Sequence, residues 1–137
     1  MFNSLISFKG HTICDVAESC AYCGVPLSQQ YYKKPGTTAP TADHMKPKTK
    51  KQKKGKVLVA ACNKCNKEKA NLPLSEFIAK KRPNALFYLK NYLISLKDVK
   101  AVVKKKDKNV EFDGEKYCRQ VAEEVKELTG VNLDYCI

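Results

Sequence analysis

Apolar residues recur along this chain at two different periods. In the C-terminal part Leu86, Leu89, Leu93 and Leu96 return every three or four residues, with Lys90 and Lys97 off that face, and Tyr117, Val121, Val125 and Leu128 repeat the stripe. Both patterns predict amphipathic helices that pack on each other and on the preceding chain rather than forming a dimer seam. Asp113 is placed to cap the second helix and Gly130 to end it, and Lys104 to Lys108 with Asn109 reads as a polar connection between the two. Ser75 is placed to cap a shorter helix over 76–80, which Arg82-Pro83 breaks. Upstream, the β-branched run Val57-Leu58-Val59-Ala60-Ala61, bounded by Gly55, predicts a short buried strand, and a second strand is expected near Ala42-Asp43-His44. Residues 1–19 show no clean period, with a turn at Lys9-Gly10, and 25–41 read as a loop around Pro35-Gly36.

Length changes this picture little: 137 residues suit one compact domain with a helical extension. The cysteines change it more. Four of the seven stand in two Cys-x-x-Cys pairs, Cys20 with Cys23 and Cys62 with Cys65, a spacing that chelates zinc far more often than it forms disulfides. Gly24 supplies the tight turn behind the first pair, and four thiolates fill a tetrahedral zinc with no open position. Such a site is structural, and contributes on the order of 10 kcal/mol to folding. Cys14, Cys118 and Cys136 are read as small buried hydrophobes, and His11 as a surface or packing residue outside any ligand spacing. With no signal-peptide pattern and no apolar stretch near the length of a membrane span, a reducing, cytoplasmic setting without a membrane partner is expected.

The net charge of +12 is concentrated: residues 1–42 carry +1, 43–82 carry +10 and 83–137 carry +1. That excess predicts a polyanionic partner. Nearly all of it is lysine, Arg82 and Arg119 being the only arginines, which suits phosphate contact better than the bidentate reading of guanine, so low sequence specificity is expected. Lys46, Lys48, Lys50, Lys51, Lys53, Lys54 and Lys56 form a basic loop, and Lys67 and Lys69 follow in the next helix; all nine are candidate nucleic-acid contacts. Tyr31 and Tyr32, beside Lys33 and Lys34, either lie against nucleic acid or pack over the knuckle.

The segment from Thr41 to Asn71 joins these features in order: an Asp-His pair within Asp43-His44-Met45-Lys46-Pro47, the basic loop, the apolar strand, and Cys62-Asn63-Lys64-Cys65-Asn66 opening a helix that begins at Cys65. This order, with Cys20-Ala21-Tyr22-Cys23 before it, resembles the HNH nucleases, whose ββα motif holds one catalytic metal ion and is often stapled by a four-cysteine zinc site. The resemblance covers residues 14–79 and implies an α+β fold: a small treble-clef-like, zinc-stapled ββα-metal core over 14–79, a helical extension over 80–137 packed on it, and a segment 1–13 without an assigned role.

By the same resemblance, His44 is the general base, Asp43 and Asn66 hold a catalytic Mg2+ or Mn2+, and the zinc never touches substrate. The reaction implied is hydrolysis of DNA, double-stranded in the first instance, to 5′-phosphate and 3′-hydroxyl ends. Glu68 is expected to face solvent rather than the metal. Free-standing proteins of this kind resemble those of bacterial viruses and mobile elements, and a monomer or weak homodimer is expected. One departure stands out: the family pattern carries an Asn where this chain has Val57, with Gln52 or Thr49 as candidate substitutes for holding the loop. The rival expectation is a zinc-stapled nucleic-acid-binding module without catalysis.

Overall fold

The computed structural model describes residues 11–27, 40–48, 50, 52–53, 55, 57–105 and 108–135. A short helix α1 (His11–Val16) precedes the first knuckle, and an antiparallel hairpin of β1 (Pro40–His44) and β2 (Leu58–Cys62) runs into α2 (Asn63–Lys69). The hairpin register pairs Pro40 with Cys62, Asp43 with Val59 and His44 with Leu58. All five residues of β2 are buried, so it reads in sequence as an unbroken apolar run rather than an alternation. The helix α2 starts two residues before the expected Cys65, because the Cys62 thiol caps it by accepting from the Cys65 N–H.

The chain continues through α3 (Leu74–Lys80), α4 (Ala85–Leu96), a second antiparallel hairpin of β3 (Lys100–Lys105) and β4 (Lys108–Asp113), and α5 (Gly114–Thr129). The α+β class expected from the sequence is therefore present, with two two-stranded sheets. The second hairpin replaces the expected polar connection at 104–109. Its signal is the period-two pattern of β4, where Val110 and Phe112 are buried and Asn109 and Glu111 exposed, partly hidden by the surrounding lysines. The helix α3 begins at Leu74 rather than after Ser75; Pro73 occupies its cap position without a side-chain hydrogen bond. Asp113 and Gly130 bound α5 as read: the Asp113 carboxylate accepts from the Glu115 and Lys116 N–H groups, and Gly130 adopts a left-handed φ of 77°.

Both stripe helices bury their apolar faces in one core that runs from Ile13 to Val125. The buried face of α4 is Ala85, Leu89, Tyr92, Leu93 and Leu96, with Leu86 only partly covered. Cys14 and Cys118 are buried as expected, while Cys136 lies outside the described residues.

Two tyrosines key the C-terminal elements to the outer edge of β2. The Ala60 N–H donates to Tyr92 Oη (2.9 Å), and Tyr117 Oη donates to the Leu58 carbonyl (2.7 Å). Since the Tyr117 proton is used there, Tyr92 donates across the 2.8 Å contact between the two hydroxyls. On the same edge the Ala21 N–H donates to the Ala60 carbonyl (2.9 Å), so the knuckle and the helices together satisfy backbone groups that a two-stranded sheet leaves open.

Candidate metal centre and the His44 site

The first knuckle is a tight turn closed by Gly24 N–H to the Cys20 carbonyl (3.0 Å), with Gly24 at φ 75°, where a side chain would be strained and would also strike the Tyr88 ring. Tyr22 N–H donates to Cys20 Sγ, and Cys65 N–H to Cys62 Sγ, each at 3.4 Å, so the first sulfur of each pair accepts from a backbone N–H two or three residues on. The thiols of Cys20, Cys23, Cys62 and Cys65 all lie within 4.8 Å of one another, in a zinc-binding arrangement. Zinc–sulfur bonds of about 2.3 Å in a tetrahedron require sulfurs roughly 3.8 Å apart, and Cys23 and Cys62 stand at 3.7 Å.

The electrostatics point the same way. Hydrogen bonding from Cys20 above all, then from Cys65, draws the Cys62 thiol far below its usual range, while the shared bond to Cys62 pushes Cys20 up to about 12 and Cys65 rises with it. A divalent ion offsets part of the charge of four thiolates and so favours their ionisation together. Arg82 adds a second layer that the sequence reading treated only as a helix break. Its Nε donates to Cys65 Sγ (3.4 Å), its guanidinium pairs with Glu68 (2.9 Å), and it leans on the Phe77 ring. Glu68 is therefore paired rather than pointing freely to solvent.

Asp43 and His44, neighbours on β1, face opposite ways as strand geometry demands. Asp43 turns inward: its Oδ2 accepts from Tyr22 Oη (2.5 Å) and pairs with Lys69 Nζ (3.4 Å). Burial raises the Asp43 pKa, opposed by the Lys69 charge and by the bonds from Tyr22 and Lys69. Lys69, expected at the DNA backbone, is corrected by its position: it is wholly buried, and Nζ also donates to the His44 carbonyl at 2.9 Å. It lies four residues after the buried Cys65, on the inward face of α2.

His44 is half-buried, with Nδ1 2.9 Å from the Gly55 carbonyl. A carbonyl only accepts, so Nδ1 carries the proton and Nε2 is the basic nitrogen of the neutral ring. Gly55 N–H in turn donates to the Lys46 carbonyl (2.8 Å), which closes the basic loop at its base. Gln52, one of the two residues considered as a substitute at this loop, donates its amide to the Pro47 carbonyl at 2.9 Å. Thr49 lies outside the described residues, and Val57 is buried in the core.

The structure thus brings Asp43, His44 and α2 together through Lys69. Asn66, half-buried, stands one turn before Lys69 on that helix. Lys48, Lys50, Lys53 and Lys67 are exposed and Lys46 is half-buried, while Lys51, Lys54 and Lys56 lie outside the described residues, as do Tyr31, Tyr32, Lys33 and Lys34. Tyr22, Arg82 and Lys69 are the site residues whose roles the sequence reading missed. For Lys69 the helical period from Cys65 was the available signal; for Tyr22 and Arg82 nothing local announced it. Among the described residues no helix is long and apolar enough to cross a membrane. No protein-family model, curated protein or solved structure matches the chain.

Proposed function

We propose that the chain is a zinc-stapled, metal-dependent endonuclease of the HNH type that hydrolyses DNA phosphodiester bonds. The observation that carries this reading is the Nδ1 contact of His44 with Gly55, on a ββα hairpin fastened to a four-cysteine cluster. It fixes the tautomer whose Nε2 accepts a proton, as a base acting on water must. Asp43 and Asn66 would hold Mg2+ or Mn2+, hard oxygen donors suiting a hard cation. Bound there, the ion supplies charge neutralisation at the scissile phosphate and the leaving oxygen. His44 takes the proton of the attacking water, Lys69 fixes the His44 backbone through its carbonyl, and the exposed lysines of the loop and Lys67 grip the flanking phosphates. Relaxation of supercoiled plasmid by zinc-loaded protein, with Mg2+ or Mn2+ and not with chelator, tests it.

A second reading has its own observation. Both contacts of Asp43 fall on Oδ2, and a buried ammonium already compensates its charge. Asp43 is then a structural ion pair, and the chain a basic nucleic-acid-binding module. DNA shifted in a gel without cleavage under any divalent metal selects this reading.

A further inference from the structure

Glu124 belongs to α5, far in sequence from the His44 loop, yet its carboxylate lies against that loop. The Val57 N–H donates to it, and a Cβ built on Gly55 would stand 2.1 Å from its Oε1. Only glycine admits the carboxylate at that distance. Glu124 Oε2 is also buried, with no hydrogen-bond partner among the described residues. A half-buried carboxylate placed this way costs solvation, and what it contacts is the backbone at 55 and 57. That backbone carries the Gly55 carbonyl, which bonds His44 Nδ1 at 2.9 Å. The Lys46 carbonyl holds Gly55 from the nitrogen side at 2.8 Å, so Gly55 is held at its N–H by Lys46, at its carbonyl by His44 at the end of β1 and across its Cα by Glu124 of α5.

We propose that Glu124 is a positioning residue for His44: from the C-terminal helix it fixes the backbone at Gly55 and at Val57, and through the Gly55 carbonyl it sets the ring tautomer and orientation of His44. The helical extension is then part of the site rather than a passive cover. The inference rests on the reading of His44 as a base, but its first readout does not.

Only two histidines are present, so the ring nitrogens of His44 are separable by NMR once His44→Ala identifies its signals. In zinc-loaded wild type, His44 shows the Nδ1-protonated tautomer and the Val57 amide exchanges slowly. Glu124→Ala speeds Val57 exchange roughly tenfold, the effect of losing one hydrogen bond, and mixes the His44 tautomers; Glu124→Gln, which keeps an acceptor oxygen, restores both. Should Glu124→Ala not fold, Glu124→Asp, which keeps the charge but withdraws it by one methylene, takes its place with the same expectation. If the altered tautomer is accompanied by a roughly tenfold fall in single-turnover cleavage at unchanged KM, both readings stand. If the tautomer responds and wild type cuts no DNA, positioning stands and the nuclease falls. His44 signals and Val57 exchange unchanged in the folded variant overturn the proposal.

Discussion

Lys69 Nζ lies 3.4 Å from Asp43 Oδ2 with both side chains withdrawn from solvent, so the helix that follows the second knuckle supplies an ammonium that compensates Asp43 inside the fold. A buried pair of this kind resists the loss of one partner far more than the loss of both. Lys69→Met, which strands the carboxylate, is expected to cost about 3–5 kcal/mol in urea unfolding at neutral pH. Asp43→Asn combined with Lys69→Met is expected to recover most of that, and additive losses in the double variant would show that the two residues do not act as a pair.

The four-cysteine cluster joins the knuckle before β1 to the start of α2, so removing its ion loosens both ends of the hairpin. Chelation of the zinc-loaded protein is expected to abolish the cooperative thermal transition, and Co2+ in its place to give thiolate charge-transfer bands that Cys62→Ser reduces. Arg82→Ala removes the Nε donor to Cys65 Sγ, and metal competition should find zinc affinity lowered by about 10- to 100-fold, the usual effect of losing an outer partner.

How much of this was legible in the sequence follows from how local each cause is. The knuckles, the two hairpin strands of the core, the Asp113 cap and the Gly130 stop depend on neighbours within a few residues, and the sequence displays them. The hairpin β3–β4 was masked because five lysines between 100 and 108 outweighed the apolar alternation at Val110 and Phe112. Tyr92 and Tyr117 looked like ordinary members of apolar stripes; that they cap the edge of β2 depends on a separation in sequence that no local pattern encodes. The same holds for Tyr22 on Asp43 and Glu124 on Gly55. Lys69 counted as one more lysine in a basic run, although its place four residues after Cys65 put it on the buried face.

Glu124 makes stability depend on pH in a defined direction. Burial, helped by Glu127 and opposed by Lys46, Lys69 and the Val57 N–H, pushes its carboxyl up to about 7 from an ordinary value of 4.5. A raised carboxyl pKa means that the folded state holds the proton more tightly than the unfolded one. Its contribution is therefore complete below about pH 4.5 and is lost as pH rises through 7. Wild type is expected to gain stability relative to Glu124→Gln on going from pH 8 to pH 5.5, in urea unfolding of the zinc-loaded proteins. Comparing the two cancels the protonation of the thiolates, which both share, and a difference independent of pH would contradict the assignment.

If the exposed lysines of the loop make the proposed phosphate contacts, DNA affinity is expected to fall steeply with salt. Replacing Lys48, Lys50 and Lys53 together by Gln should lower the slope of log affinity against log salt by about 2 to 3, with little change in unfolding, because all three are exposed. An unchanged slope would place the phosphate contacts elsewhere on the chain.

The most direct test is single-turnover cleavage of supercoiled plasmid by zinc-loaded wild type and His44→Ala, followed from pH 5.5 to 8.5 with Mg2+ and with Mn2+. The expected result is metal-dependent cleavage whose rate rises with pH, as general-base help requires, and a loss of roughly 100-fold or more in His44→Ala while zinc content and DNA affinity are retained. Cleavage that survives in His44→Ala would remove His44 from the chemistry. Tight DNA binding by both proteins without cleavage under either metal would contradict the nuclease and leave a binding module built on the same hairpin.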